Sequence, residues 1–182
     1  MTVNKELKKS LRKLTYSALF LAIALVLPFL TGQIPEIGSM LCPMHIPVLL
    51  CGFICGWPWG LAVGFIAPLL RFVLFGMPPV FPTGMAMAFE LAVYGAVSGI
   101  MYKLFPKKDL YVYPALIIAM AAGRIVWGAV RYLIAGLQGT TFTAEAFLAG
   151  AVTTAIPGMI LHIILIPLIV IALRRAKFMQ NE

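Results

Sequence analysis

The chain has 182 residues, of which 62% are hydrophobic and only 11% charged. A water-soluble globular domain of this length needs far more charge to cover its surface, so that class is excluded and lipid must solvate most of the apolar side chains. The net charge is +8, but the basic residues gather in short clusters beside apolar runs, a pattern of loops held at a membrane surface and not of a nucleic-acid interface.

The first residues are polar and basic, with Lys5, Lys8, Lys9, Arg12 and Lys13. A first helix is predicted over about 14–30. It has the look of a signal-peptide core, but Thr31-Gly32-Gln33-Ile34-Pro35 holds no small-x-small cleavage site, so a retained helix is expected. The stretch 31–44 carries turn chemistry in Gly32, Pro35, Gly38 and Pro43. A second helix over about 45–56 is too short to cross a hydrocarbon layer roughly 30 Å thick, so a tilted or partly re-entrant segment is expected. Trp57-Pro58-Trp59-Gly60 reads as a tight turn with interfacial aromatics.

A third helix is predicted over about 61–75, and residues 76–82 cannot be helical throughout because Pro78, Pro79 and Pro82 lack donors and restrict the backbone. The fourth helix follows at about 83–104, a polar break at 105–109, and the fifth helix at about 111–135. After a Thr-rich loop at 136–145, the sixth helix is predicted over about 146–173, long enough to tilt or kink at Pro157 and Pro167. Arg174, Arg175 and Lys177 end it.

The expected fold class is therefore all-α: a polytopic membrane protein with six transmembrane helices in a single membrane domain over residues 1–182. Six spans place the amino-terminal cluster, Lys103 with Lys107 and Lys108, and the carboxyl-terminal cluster on one side. The three opposite loops then carry no Lys or Arg, whereas five spans would break this agreement. By the positive-inside rule both termini are expected in the cytoplasm, with the chain crossing a bacterial plasma membrane. Cys42, Cys51 and Cys55 read as small packing residues, not as a disulfide framework or a metal site. Gly-x-x-x-x-Gly-Lys-Ser/Thr, His-Glu-x-x-His and Gly-x-Ser-x-Gly are all absent, so any ATP-driven step needs another chain.

What remains is a set of polar residues in or near apolar spans: Arg71, Glu90, Arg124, Arg131, His162 and, at the start of the second helix, His45. An ionised group at the centre of a span costs a few kcal/mol, so such residues face protein or a watery cavity. Glu90 is expected about 10 Å below the outer start of its helix, and Arg124 lies seven residues from Arg131 on roughly the same face. Together they suggest a polar pocket open to the outside and closed below by apolar residues. Bland readings stand beside this one: Arg131 and Arg71 snorkel to headgroups, Arg71 pairs with Glu90, and His162 is a packing residue. Three arginines against one intramembrane glutamate leave positive charge over, which suits a carboxylate ligand.

Gly52, Gly56, Gly60 and Gly64 recur every four positions, and Gly95 with Gly99 forms another such pair; Ala18 and Ala22 repeat the spacing on the first helix. Small residues at this interval let helices approach closely, within the chain or against a partner.

Six helices, a basic amino terminus, Ala18-x-x-x-Ala22, a loop able to cap an outer pocket and no ATPase motif resemble the substrate-binding S component of energy-coupling factor (ECF) vitamin transporters. The stretch from Pro43-Met-His-Ile-Pro-Val-Leu-Leu to Cys55-Gly56, and Gly76-Met-Pro-Pro-Val-Phe-Pro-Thr83, resemble the branch that includes pantothenate and hydroxymethylpyrimidine carriers. The resemblance implies an S-component-like bundle that binds a small water-soluble vitamin from outside and docks on a membrane-embedded coupling protein served by two ATPase subunits. It implies that Ala18 and Ala22 contact the coupling protein, and that the 31–44 loop, with Gln33 and Glu36 as its polar members, lids the pocket. It also implies no cofactor in this chain, with ATP hydrolysed by the partners, and no enzymatic role. Pantothenate is the first expected substrate, because the arginine surplus favours a carboxylate. Two readings of other classes remain. A stand-alone or dimeric secondary carrier predicts ligand flux through the purified chain, and an intramembrane enzyme predicts turnover, though no paired carboxylates or Ser/His couple supports it.

Overall fold

The computed structural model describes residues 2–31 and 34–176. Among them the chain is built of helices, five of which are long and apolar enough to cross a membrane, with a shorter apolar sixth. The expected all-α architecture of six membrane helices is observed, with the second one short.

α1 (Thr2–Val26) passes into a 3-10 turn at Leu27–Thr31. Pro28 has no N–H to continue the α-helical ladder and disfavours helical backbone at the residue before it, so the winding changes there. α2 (Pro35–Leu41) is a short helix with Pro in its first turn, and it stops at Cys42, whose φ of 47° is left-handed. α3 (His45–Cys55) is the shorter apolar helix, and nearly all of it is buried. It packs on α1, on α4 (Trp57–Phe75), on α5 (Met85–Leu104) and on α8 (Ile156–Arg175). An eleven-residue helix spans about 16 Å, too little to cross the bilayer, and its neighbours replace lipid on every side.

Trp57-Pro58-Trp59-Gly60 departs from expectation: it is the first turn of α4 and not a separate turn. Proline is well placed there, since the first amides of a helix have no intrahelical acceptor. The reversal falls on Gly56 alone, at φ 94°. α4 ends at Gly76, again left-handed at φ 73°. The proline-rich stretch then leads into one wide turn at Val80–Gly84, with Phe81 extended at φ −116°, as expected for a segment that cannot be helical throughout.

α6 (Val112–Leu137) follows a 3-10 turn at Asp109–Tyr111. The sixth predicted helix is in fact two pieces. α7 (Ala144–Leu148), capped by the Thr143 hydroxyl accepting from the Ala146 amide at 3.2 Å, runs into a wide turn at Ala149–Thr153, and α8 begins only at Ile156. Pro157 explains the break: its ring clashes with the carbonyl four residues back, so an α-helix through 153–157 is not available, and Pro157 sits instead in the first turn of α8. Pro167 lies inside α8.

The glycine rows pack within the chain. A Cβ built on Gly60 would lie 2.5 Å from the Gly95 carbonyl oxygen, and one on Gly95 would meet the Gly60 carbonyl directly. Only hydrogen at both positions lets α4 and α5 come this close. The core above and below this contact holds Val48, Leu49, Leu91, Tyr94, Leu116, Ile166 and Val170, all essentially inaccessible. Large apolar side chains such as Ile23, Ile66, Val73, Ile117, Ile125, Ile160 and Leu168 point outwards instead, the reverse of a soluble protein. At the basic end, Asp109 pairs with Arg174 and with Arg175, the latter at 3.2 Å, and Arg174 donates to the Lys107 carbonyl at 2.9 Å, so the end of α8 is tied to the turn after α5.

Candidate functional site

At the end of the bundle opposite the basic clusters lies a cavity of about 660 Å³. Small-molecule sites occupy roughly 300–1,000 Å³, so the size suits a metabolite. Its wall is made by Pro28 after α1, by Ile34, Glu36 and Gly38, by Cys42 to Met44, by Arg71, by Met77 to Pro79 with Thr83, by Met87 and Glu90, by Arg124 and Trp127, and by Gly150 and Thr154. Eight stretches of the chain therefore share one cavity.

Glu90 is its deepest charge and is 2% exposed. It stands on α5 with Leu91 and Tyr94 below it, both buried. Its Oε1 lies 3.0 Å from the Arg124 Nη1 and 3.5 Å from the His45 Nε2. Arg124 comes from α6, beside Gly123, whose missing side chain makes room for the Tyr94 ring. Its second amino group donates to the Cys42 Sγ at 3.6 Å, which holds the guanidinium between α5 and the α2–α3 corner. Behind Glu90 the His45 ring meets Tyr94 edge-on at 5.2 Å between centroids and stacks on His162 at 5.9 Å. The Arg124 Nε, the His45 Nδ1 and the His162 Nε2 are buried and make no hydrogen bond among the described residues. Buried polar atoms of this kind lose the desolvation energy of the group unless a partner arrives, so they mark where water or a ligand belongs.

Arg71 is 3% exposed on α4 and takes a different role from the one its charge suggests. It does not pair with Glu90. Its Nη1 donates to the Leu25 carbonyl, one of the last-turn acceptors that the end of α1 leaves without a helical partner. The guanidinium also lies 5.0 Å from the Phe29 ring centroid and 5.3 Å from that of Phe75. Arg71 thus closes the α1–α4 corner of the cavity with its edge on the wall.

Of the residues singled out in the sequence, Arg71, Glu90, Arg124 and Glu36 line the cavity, while His45 and His162 stand behind Glu90 and support it. Arg131 does not reach the cavity: it faces Trp127 at 6.0 Å and Phe142 at 5.7 Å, one helical turn further along α6. Gln33 lies outside the described residues. The lining thus holds two arginines and two glutamates, so the positive surplus inferred from sequence is not a property of the cavity wall. Trp127 was missed by sequence reasoning. Its place three residues after Arg124, on the same helix face, was the available signal. The Met44, Met77, Met87, Thr83 and Thr154 contributions carry no comparable signal, since such residues are common in membrane helices.

A family model for the substrate-specific component of ECF transporters matches residues 12–170. The chain belongs to this family. S components work with an ECF membrane and ATPase module, bind small-molecule substrates, and form a transporter-subunit family, not an enzyme family. No curated protein and no solved structure matches the chain.

Proposed function

We propose that this S component is the high-affinity substrate-binding subunit of an ATP-driven importer for a small water-soluble vitamin or vitamin precursor. The cavity carries the proposal: a cleft of about 660 Å³ with a Glu90–Arg124 ion pair 3.0 Å long in its wall and the buried Nε of the same guanidinium making no hydrogen bond among the described residues. A carboxylate or amide oxygen accepts from Arg124, a hydroxyl or amine donates to Glu90, and Trp127 with the methionines covers the apolar part. His45 and His162 hold these groups in place, and Arg71 closes the α1–α4 corner of the wall. Glu36, in the first turn of α2, belongs to the segment that lids the cavity. Arg131 acts further out, at the mouth.

Pantothenate is the first substrate to try, since it combines a carboxylate with an amide and hydroxyls. The balanced lining and Trp127 favour a second candidate class, a neutral aromatic precursor such as hydroxymethylpyrimidine or a pyridoxine-like ring, stacked on the indole with Glu90 as acceptor.

The same reading orients the chain. The cavity opens outside, both termini are cytoplasmic in a bacterial plasma membrane, and residues 1–182 act as one membrane domain. Ala18 and Ala22, both exposed on α1, dock on the coupling protein, whose two ATPase partners supply the energy. The test is to extract the chain under native conditions and identify any co-purifying small molecule by mass spectrometry. A vitamin at near one per chain is expected. Ligand flux through the purified chain alone, driven by an ion gradient, would overturn this reading in favour of a stand-alone or dimeric secondary carrier.

A further inference from the structure

A second cavity, of about 290 Å³, lies at the opposite end of the bundle, where α1, the α3–α4 reversal and the end of α5 meet. Five cations line it: Lys9, Arg12 and Lys13 from α1, with Lys103 and Lys107 from the end of α5 and the turn beyond. No carboxylate is among its lining residues. The first turn of α4 also opens onto it. That turn has no side-chain cap and no acidic residue, and its Trp57 and Trp59 amides stand at the positive end of a nineteen-residue helix. Two of the cations lie over aromatic rings: Arg12 is 5.7 Å from the Tyr16 ring centroid, and the Lys107 Nζ is 4.0 Å from that of Tyr102 while donating to the Tyr102 carbonyl at 2.8 Å.

We infer that this cavity binds the phosphodiester headgroup of an anionic membrane phospholipid. Side chains from three elements converge with the positive end of α4 on one concave space, which suits a phosphate group better than a flat surface of like charge does. The source is lipid and not a soluble phosphate because the cationic wall continues into Ile54, Trp57 and Pro58, apolar surface for the glycerol and first methylenes. The position agrees: the cavity sits where several apolar spans end, at the depth of headgroups and interfacial aromatics. Lipid bound there bridges α1 to α5 across the α3–α4 reversal.

The full chain is purified, delipidated and titrated with dioleoylphosphatidylglycerol or dioleoylphosphatidylcholine, and retained lipid is counted by native mass spectrometry. One tightly held phosphatidylglycerol per chain is expected, with a preference of about tenfold or more over phosphatidylcholine. The pair Lys103→Gln with Lys107→Gln removes two charges from the cavity, and Lys8→Gln with Lys108→Gln removes two from the same end outside it. All four side chains are exposed, so both variants fold, which unchanged thermal midpoints verify. The cavity pair is expected to lose about tenfold in phosphatidylglycerol affinity and the control pair less than about threefold. Equal losses would overturn the site in favour of diffuse surface charge. Displacement of the lipid by millimolar inorganic phosphate would overturn the lipid assignment in favour of a soluble phosphate ligand.

Discussion

Replacing Arg124 by Met removes the cation from a pair that is 3.0 Å long and in which the Glu90 side chain is only 3% exposed. Among the described residues Glu90 then keeps the His45 ring, at 3.5 Å, and the Tyr94 side chain beside it, neither of which replaces the guanidinium charge. Breaking a buried pair by deleting one partner costs about 3–5 kcal/mol, because the remaining charge stays out of water without compensation. For a chain of this size that is a fall in thermal midpoint on the order of 10 °C. The double variant Arg124→Met with Glu90→Gln removes the stranded charge and should recover more than half of the loss, since a neutral amide costs far less to bury than a carboxylate. Substrate affinity follows a different pattern: both the single and the double variant should lose about a hundredfold or more, because neither retains the Arg124 guanidinium that the ligand contacts. The assay is a thermal-shift series on the purified chain with and without substrate, paired with equilibrium binding. A single variant that keeps its midpoint within about 2 °C of the parent would refute the energetic role assigned to the pair. A double variant that binds as the parent does would refute its role in recognition.

Ala18→Trp or Ala22→Trp places an indole on an exposed face of α1 and should abolish uptake in vesicles carrying the partner module while leaving ligand affinity within about twofold; lost affinity would sink the docking assignment. Gly95→Val drives a branched side chain into the Gly60 carbonyl and should leave the chain unable to accumulate in the membrane, whereas Gly136→Ala, with nothing within 4 Å of the new carbon, should be neutral or raise stability by about 0.5–1 kcal/mol. Denaturation in mild detergent followed by gel-filtration yield compares the two. Trp127→Ala should weaken an aromatic ligand by about 1–2 kcal/mol and an aliphatic carboxylate by much less, and equal losses in calorimetry would place the indole away from the ligand.

The membrane character, the count of spans and the one-sided basic clusters follow from composition and order alone, because each depends on transfer of a segment between water and lipid and not on its neighbours. The special standing of Glu90 and Arg124 is legible for the same reason: a charge deep in a span is costly whatever surrounds it. Their pairing is not. Helices that are apolar all round show little periodicity, so the face turned inwards is chosen by close contacts such as Gly60 against Gly95. That choice sends Arg71 to the Leu25 carbonyl in place of Glu90, turns Arg131 onto Trp127 and Phe142, and brings Glu36 to the cavity wall, which cancels the charge surplus read from the linear order. Backbone detail divides similarly. Proline announces a break in the last span, but whether Pro157 kinks one helix or begins another, and whether Pro58 sits in a turn or in the first turn of α4, depends on which carbonyls the packed neighbours leave within reach. Sequence by itself determined what has to be hidden from lipid; tertiary packing alone decided which hidden groups meet, because contact between distant helices is a property of shape and not of order along the chain.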